Sequence, residues 1–161
     1  MDEMIESQIS QLTKHHFKET AQYHLDKDLS FSFQTNFNQT HANHWCNLFS
    51  NKGFETHLIF LFVDDVSICK TRVNKRVKEG GHFVPEYEIE ERYSAGLKNL
   101  DTSFNLYDKT TIFKTGQQRI VPLLYKDGQS LESIDYRLAR IMARHKLKNL
   151  ESWVIDKLNV D

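Results

Sequence analysis

Residues 55–63 read ETHLIFLFV, the longest largely apolar run in the chain. A short run of β-branched, aromatic and aliphatic residues, bounded by Gly53 on one side and by Asp64 and Asp65 on the other, predicts a strand. Its second half is apolar at every position. Both faces are therefore expected to be covered, as in the central strand of a parallel sheet held between helices. Upstream, residues 40–52 have helical spacing, and Gly53 suits the position just past a helix end. Before that, SFSFQT (residues 30–35) alternates, with Phe31 and Phe33 on one face, and predicts a strand. Ile5, Ile9, Leu12 and His16 recur at helical spacing within a helix expected over roughly residues 3–25.

Downstream, Asp64 and Asp65 end the strand and can cap a helix whose apolar stripe is Val66, Cys69, Val73 and Val77. Gly80 and Gly81 stop it. Pro85 can open another, with Ile89, Tyr93, Leu97 and Leu100 inside. Short strands are expected at residues 105–107, 111–114 and 120–125. Two closing helices are read from Leu131, Ile134, Leu138 and Ile141, then from Leu147, Leu150, Val154 and Leu158. The prediction is an α/β layered fold over residues 1–161, a single domain with a mainly parallel sheet flanked by helices.

The 161 residues are 39% hydrophobic and 27% charged, enough for a folded core and unlike a disordered chain. The net charge of −1 speaks against a general nucleic-acid or membrane-surface binder. The basic exception is the run Arg137, Arg140, Arg144, Lys146 and Lys148; Arg137, Arg140 and Arg144 share a helical face that could contact phosphates but that solvent alone can satisfy. Cys46 and Cys69 sit in helical patterns without a CxxC and are expected to be reduced core residues. The acidic, amphipathic start MDEMIESQIS lacks the form of a signal peptide, and Leu58–Val63 is too short to cross a bilayer, so a cytoplasmic protein is expected. His41 and His44, and the adjacent His15 and His16, have no cysteine or carboxylate cluster to complete a ligand set, so no metal site is expected.

SFSFQT, then GFETHLIFLFV (residues 53–63), then TRVNKRVKEGGHFVPEYEIEERYSAGLKNL (residues 71–100) resemble the distal half of the zeta toxin family of P-loop kinases. The run RVNKRVKEGGHFVP (residues 72–85) is its most specific part. The resemblance covers about half of the chain, from Phe31 to Asp108. It implies a P-loop-kinase-like fold that moves the γ-phosphate of ATP, with Mg²⁺, to a small acceptor, in the characterised toxins a UDP-linked amino sugar. Arg76 and Arg72, one helical turn apart, would then meet the charge that spreads over the phosphate oxygens. Gly80, Gly81 and His82 would approach a phosphate, and Arg92 would add a further anion contact. Gln34 and Thr35 stand where the family places Glu-Thr facing the acceptor. Each has a plain structural alternative: a solvated face for the arginines, a helix cap for the glycines, an ion pair with Glu88 for Arg92, and a strand-end turn for Gln34 and Thr35.

The phosphate loop G-x-x-x-x-G-K-[ST] does not occur, because no glycine in the chain is followed by lysine. Tyr107-Asp108 is followed by Lys109 where the family usually has asparagine. The expectation is an incomplete, inactive piece of a longer kinase. The alternative is a degenerate, non-catalytic paralogue serving as a binding or oligomerisation module. A sheet without its P-loop strand leaves an open edge, so a homo-oligomer is expected, with the Phe31–Phe33 strand at the contact.

Overall fold

A computed structural model describes residues 2–116 and 119–159. The elements run α1 (Asp2–Asp26), α2 (His41–Asn51), β1 (His57–Phe62), α3 (Val66–Lys78), α4 (Glu86–Ser103), a 3₁₀ turn (Phe104–Leu106), β2 (Lys109–Thr115), β3 (Ile120–Asp127), β4 (Ser130–Ile134), α5 (Arg137–His145) and α6 (Lys148–Leu158). The sheet has four strands in the order β1-β2-β3-β4. β1 and β2 are parallel, whereas β2–β3 and β3–β4 are antiparallel. The fold is α/β with a mixed sheet, not the mainly parallel one expected. Short connections dictate the antiparallel half, since only a long crossover such as α3–α4 can return a strand in parallel.

The strand residues Leu58, Phe62, Ile112 and Leu124 meet Leu97 and Leu100 of α4, Leu138 and Ile141 of α5, and Leu150 and Val154 of α6 in one core. The alternate residues of β1, Ile59 and Leu61, point the other way and remain 58% and 57% exposed. β1 is thus an edge strand with one uncovered face, which corrects the expectation of a central strand buried on both sides. Its sequence is apolar at both parities, but the fold places a helix layer on only one of them.

Three further expectations are corrected. Residues 30–35 form no strand and join no sheet. Phe31 and Phe33 instead pack on Phe17 of α1, with ring centroids 5.8 and 5.1 Å away, so the alternation serves an aromatic cluster rather than a ladder. Residues 104–106 form a 3₁₀ turn in place of the strand at 105–107. Leu131 and Ile134 lie in β4, not in a helix. The two-residue turn Gly128-Gln129 closes the hairpin between the paired Asp127 and Ser130, with Gly128 at φ +55°, and glycine at the first turn position is a known hairpin signal. The other helices fall close to their sequence limits. Of the α1 stripe, Ile9 and Leu12 stay exposed, and the Ile5 side chain lies outside the described residues.

The sheet register is tied down by one carboxylate. Asp108 Oδ2 accepts from the Thr56 amide at 2.7 Å and from its hydroxyl at 2.9 Å. In return the Asp108 amide donates to Thr56 Oγ1 (3.1 Å), and the Lys109 amide to the Thr56 carbonyl (2.9 Å). The Gly128 amide donates to the Asp108 carbonyl at 2.8 Å, bringing in the end of β3. Lys126, 1% exposed, donates to the carbonyls of Tyr107 (2.6 Å) and Asp108 (3.4 Å). Desolvation draws the Lys126 ammonium below its ordinary pKa, against the pull of Asp108. The Thr56 backbone and side-chain donors, with a smaller contribution from Lys126, hold the Asp108 carboxyl below its ordinary value.

Removing this carboxylate leaves the buried Thr56 without its acceptor. Asp108→Ala is expected to cost about 2 kcal/mol at neutral pH, measured by urea unfolding. A carboxyl whose folded pKa is depressed stabilises fully above its unfolded value and loses that contribution as pH falls through the folded one. The gap between wild type and variant should therefore close below about pH 4. An acid-independent gap would mean that the charge of Asp108 is not what matters.

Candidate functional site

The segment QTNFNQTH (residues 34–41) is dense in amides and bears one backbone outlier. Phe37 sits at φ +54°, in the left-handed region that costs a bulky side chain about 1 kcal/mol or more. Several contacts hold it there. Its ring is buried in the main core, 6.2 Å from the ring of Phe60 and 6.4 Å from that of Tyr107. Its amide donates to Thr35 Oγ1 at 3.2 Å, and its carbonyl accepts from Asn99 Nδ2 of α4 at 2.8 Å. Gly96 lets α4 come close: a Cβ there would lie 3.3 Å from the Asn36 carbonyl oxygen.

Pinned in this way, the segment forms one wall of an open cleft of about 580 Å³. Gln34, Thr35, Asn36, Asn38, Gln39 and His41 line it, together with Arg92 from α4. Gln34, Thr35 and Arg92 were expected from the sequence to serve a ligand, and the fold brings all three to one place. Arg92 also makes the expected helical ion pair with Glu88, at 2.7 Å. Both partners are partly exposed, so the pair contributes little stability and an incoming anion can compete for the guanidinium. The lining offers amide donors and acceptors, a hydroxyl, an imidazole and one fixed cation. None of the lining residues carries a carboxylate. That inventory suits a ligand with several hydroxyls or carbonyls and a negative charge.

Arg72 and Arg76 are exposed on α3 and do not line the cleft. No residue of α3 is fully buried. Val66, Cys69, Val73 and Val77 are each half-buried, so the expected stripe exists but is only partly covered. Asp65 caps the helix by accepting from the Ser67 amide at 2.8 Å, as the sequence predicts. Lys70 ties α3 to α4 through Glu86 (2.7 Å) and Glu90 (2.6 Å), and these bonds hold its ammonium well above its ordinary pKa.

Gly80 and Gly81 form the helix stop. The Gly80 amide donates to the Val77 carbonyl at 3.0 Å and the Gly81 amide to the Arg76 carbonyl at 2.9 Å, a Schellman cap with Gly80 at φ +87°. Gly81 has a second duty. A Cβ on it would stand 2.6 Å from Arg76 Cγ and 2.9 Å from the Arg76 carbonyl oxygen. The Arg76 stem therefore lies across a glycine that makes room for it. His82 is exposed in the following loop.

The basic run of α5 is partly engaged within the protein. Arg137 bonds Asp135 at 2.7 Å, and Arg144 bonds Asp65 at 3.3 Å. The Arg137 donors hold the Asp135 carboxyl down at about 2. His15, His41 and His44 line a wider groove between α1 and α2, but among the described residues no His, Cys, Asp and Glu group is arranged to hold a metal ion. Cys46 is buried and Cys69 half-buried, both as free thiols. No helix among the described residues is long and apolar enough to cross a membrane. Asn36, Asn38 and Gln39 escaped the sequence reading, and His41 was weighed there only as a metal ligand, although the amide density of residues 34–41 was a usable signal.

No protein-family model, curated protein or solved structure matches the chain.

The two glycines differ in kind, and substitution should separate them. Gly80→Ala meets open space and only the left-handed backbone penalty, about 1 kcal/mol. Gly81→Ala collides with Arg76 backbone and is expected to lower the melting temperature further. Equal losses in thermal denaturation would show that the Arg76–Gly81 contact carries no strain.

Proposed function

We propose that residues 34–41 and Arg92 form the acceptor-binding side of a small-molecule phosphotransferase of zeta-toxin type, and that this side takes a polyhydroxylated anion such as a nucleotide sugar. The observation that carries this reading is that Arg92, far away in sequence, meets Gln34 and Thr35 on one cleft walled by a strained and firmly pinned segment. Strain of this kind persists where the surroundings over-determine it, and it concentrates at ligand sites. In this reading the amides of Gln34, Asn36 and Asn38 bond hydroxyls and carbonyls of the acceptor, and Arg92 leaves Glu88 to bond its phosphate. Arg76, its stem resting on Gly81, and Arg72 would face the transferring phosphoryl group from α3, with Gly80 and His82 beside it. ATP with Mg²⁺ would supply that group when bound.

Transfer requires the acceptor hydroxyl to lose its proton as its oxygen bonds to the γ-phosphorus and the bond to ADP breaks. The cleft lining provides no carboxylate for that proton, and the sequence provides no phosphate loop. The chain by itself is therefore expected to bind acceptor without turning over ATP.

Calorimetric titration with UDP-N-acetylglucosamine tests the reading. Binding is expected, weakened about tenfold or more by Arg92→Ala, a loss of about 1.4 kcal/mol. Glu88→Gln, which frees the guanidinium, should strengthen it. Absence of binding at millimolar ligand, or binding indifferent to Arg92→Ala and Gln34→Ala alike, would overturn the assignment. ATP turnover abolished by Arg76→Ala would overturn the expectation of an inactive chain.

A further inference from the structure

β1 ends the sheet with its outer edge bare. Apart from its ladder to β2, no backbone hydrogen bond reaches residues 57–62 among the described residues. The strand HLIFLF contains no proline, lysine or acid, and the register shifts in the sheet lie elsewhere, in the pairings of β2–β3 and β3–β4. None of the usual devices that protect an edge is present. The opposite edge, β4, is short, carries Glu132 and has only one residue, Leu131, that is not exposed.

We propose that β1 pairs antiparallel with β1 of a second copy of this chain, about a two-fold axis at Phe60. A row of unpaired amides and carbonyls calls for a strand as occupant, since only a strand satisfies them in order. The sequence of β1 is complementary to itself under this operation. With Phe60 opposite Phe60 of the second copy, Ile59 meets Leu61 on the open face, and Leu58 meets Phe62 on the core face. Opposite residues in an antiparallel pair share a face, so both apolar surfaces continue across the axis and no like charges meet. The contact is isologous, and the β4 edges left outermost are the protected ones, so assembly closes at a dimer. One strand edge is small for an interface, at or below the ~1,200 Å² of standard complexes, so dissociation in the micromolar range is expected. The dimer contact thus moves from the Phe31–Phe33 segment, which is occupied by α1, to β1. It does not depend on the acceptor cleft.

The rival contact is the exposed face of α1, where Ile9 and Leu12 are 57% and 68% exposed. Light scattering on the purified 161-residue chain, from ~1 to ~100 µM, separates the two. Wild type and Leu12→Lys should both pass from monomer to dimer, whereas Ile59→Lys/Leu61→Lys should stay monomeric with an unchanged circular dichroism spectrum. A wild type that remains monomeric at ~100 µM overturns the proposal. So does a dimer that survives the double lysine substitution, or a larger assembly. Should the double variant fail to fold, hydrogen exchange on the wild type decides. The carbonyls of Thr56 and Phe62 face β2, so the outward amides are those of His57, Ile59 and Leu61. These must become protected as concentration rises while those of β4 do not, and their unchanged exchange overturns the proposal.

Discussion

The bonds between Asp108, Thr56 and Lys126 hold together the segments that enter β1, enter β2 and leave β3. These segments lie far apart in sequence, and they meet at the end of the sheet where the parallel pair begins. Once Thr56 is fixed against Asp108 and Lys109, the register of β1 on β2 follows residue by residue. Register decides which parity of β1 faces the helices, because a slip of one residue would turn Ile59 and Leu61 inward and Leu58 and Phe62 outward. Lys126 makes the arrangement exacting. A buried ammonium needs acceptors, and it finds them in the carbonyls of Tyr107 and Asp108. The polar bonds at this end thus select the apolar packing of the rest.

The cleft and the α3 cap solve one problem in the same way. At Gly96 and at Gly81, a missing side chain lets another segment come close, tightly at Gly96 and nearer than a Cβ would allow at Gly81. At Gly96 the segment is the amide-rich loop, and its approach places Phe37 in the core in spite of its backbone. At Gly81 it is the Arg76 stem. Both glycines sit beside residues expected to contact a ligand, so local packing and ligand geometry are bound to the same positions.

The helices were legible in the sequence because their periodicity extends over several turns and their stops are marked. Asp65, Gly53 and the Gly80-Gly81 pair act where the pattern places them. The strands were legible as apolar runs, but their neighbours were not. ETHLIFLFV has the composition of a doubly covered strand, and nothing local reveals that one helix layer is missing. SFSFQT alternates because two phenylalanines face an aromatic cluster, a demand that strands and extended coil meet equally well. Leu131 and Ile134 fit a helical spacing as readily as β4, and Gly128 at the turn before them was the deciding signal passed over. At the site, Gln34, Thr35 and Arg92 were legible singly. Their meeting depends on the left-handed turn at Phe37, which no propensity assigns to phenylalanine.

The attachment of α3 has a thermal consequence. It rests on half-buried side chains and on Lys70 bridging Glu86 and Glu90, with no fully buried residue. Heat capacity changes scale with apolar surface moved into or out of water. A swing of α3 about its Asp65 and Gly80 ends would transfer little such surface. Any movement of this helix would therefore register in calorimetry as a heat capacity change far smaller than its span of residues would otherwise imply.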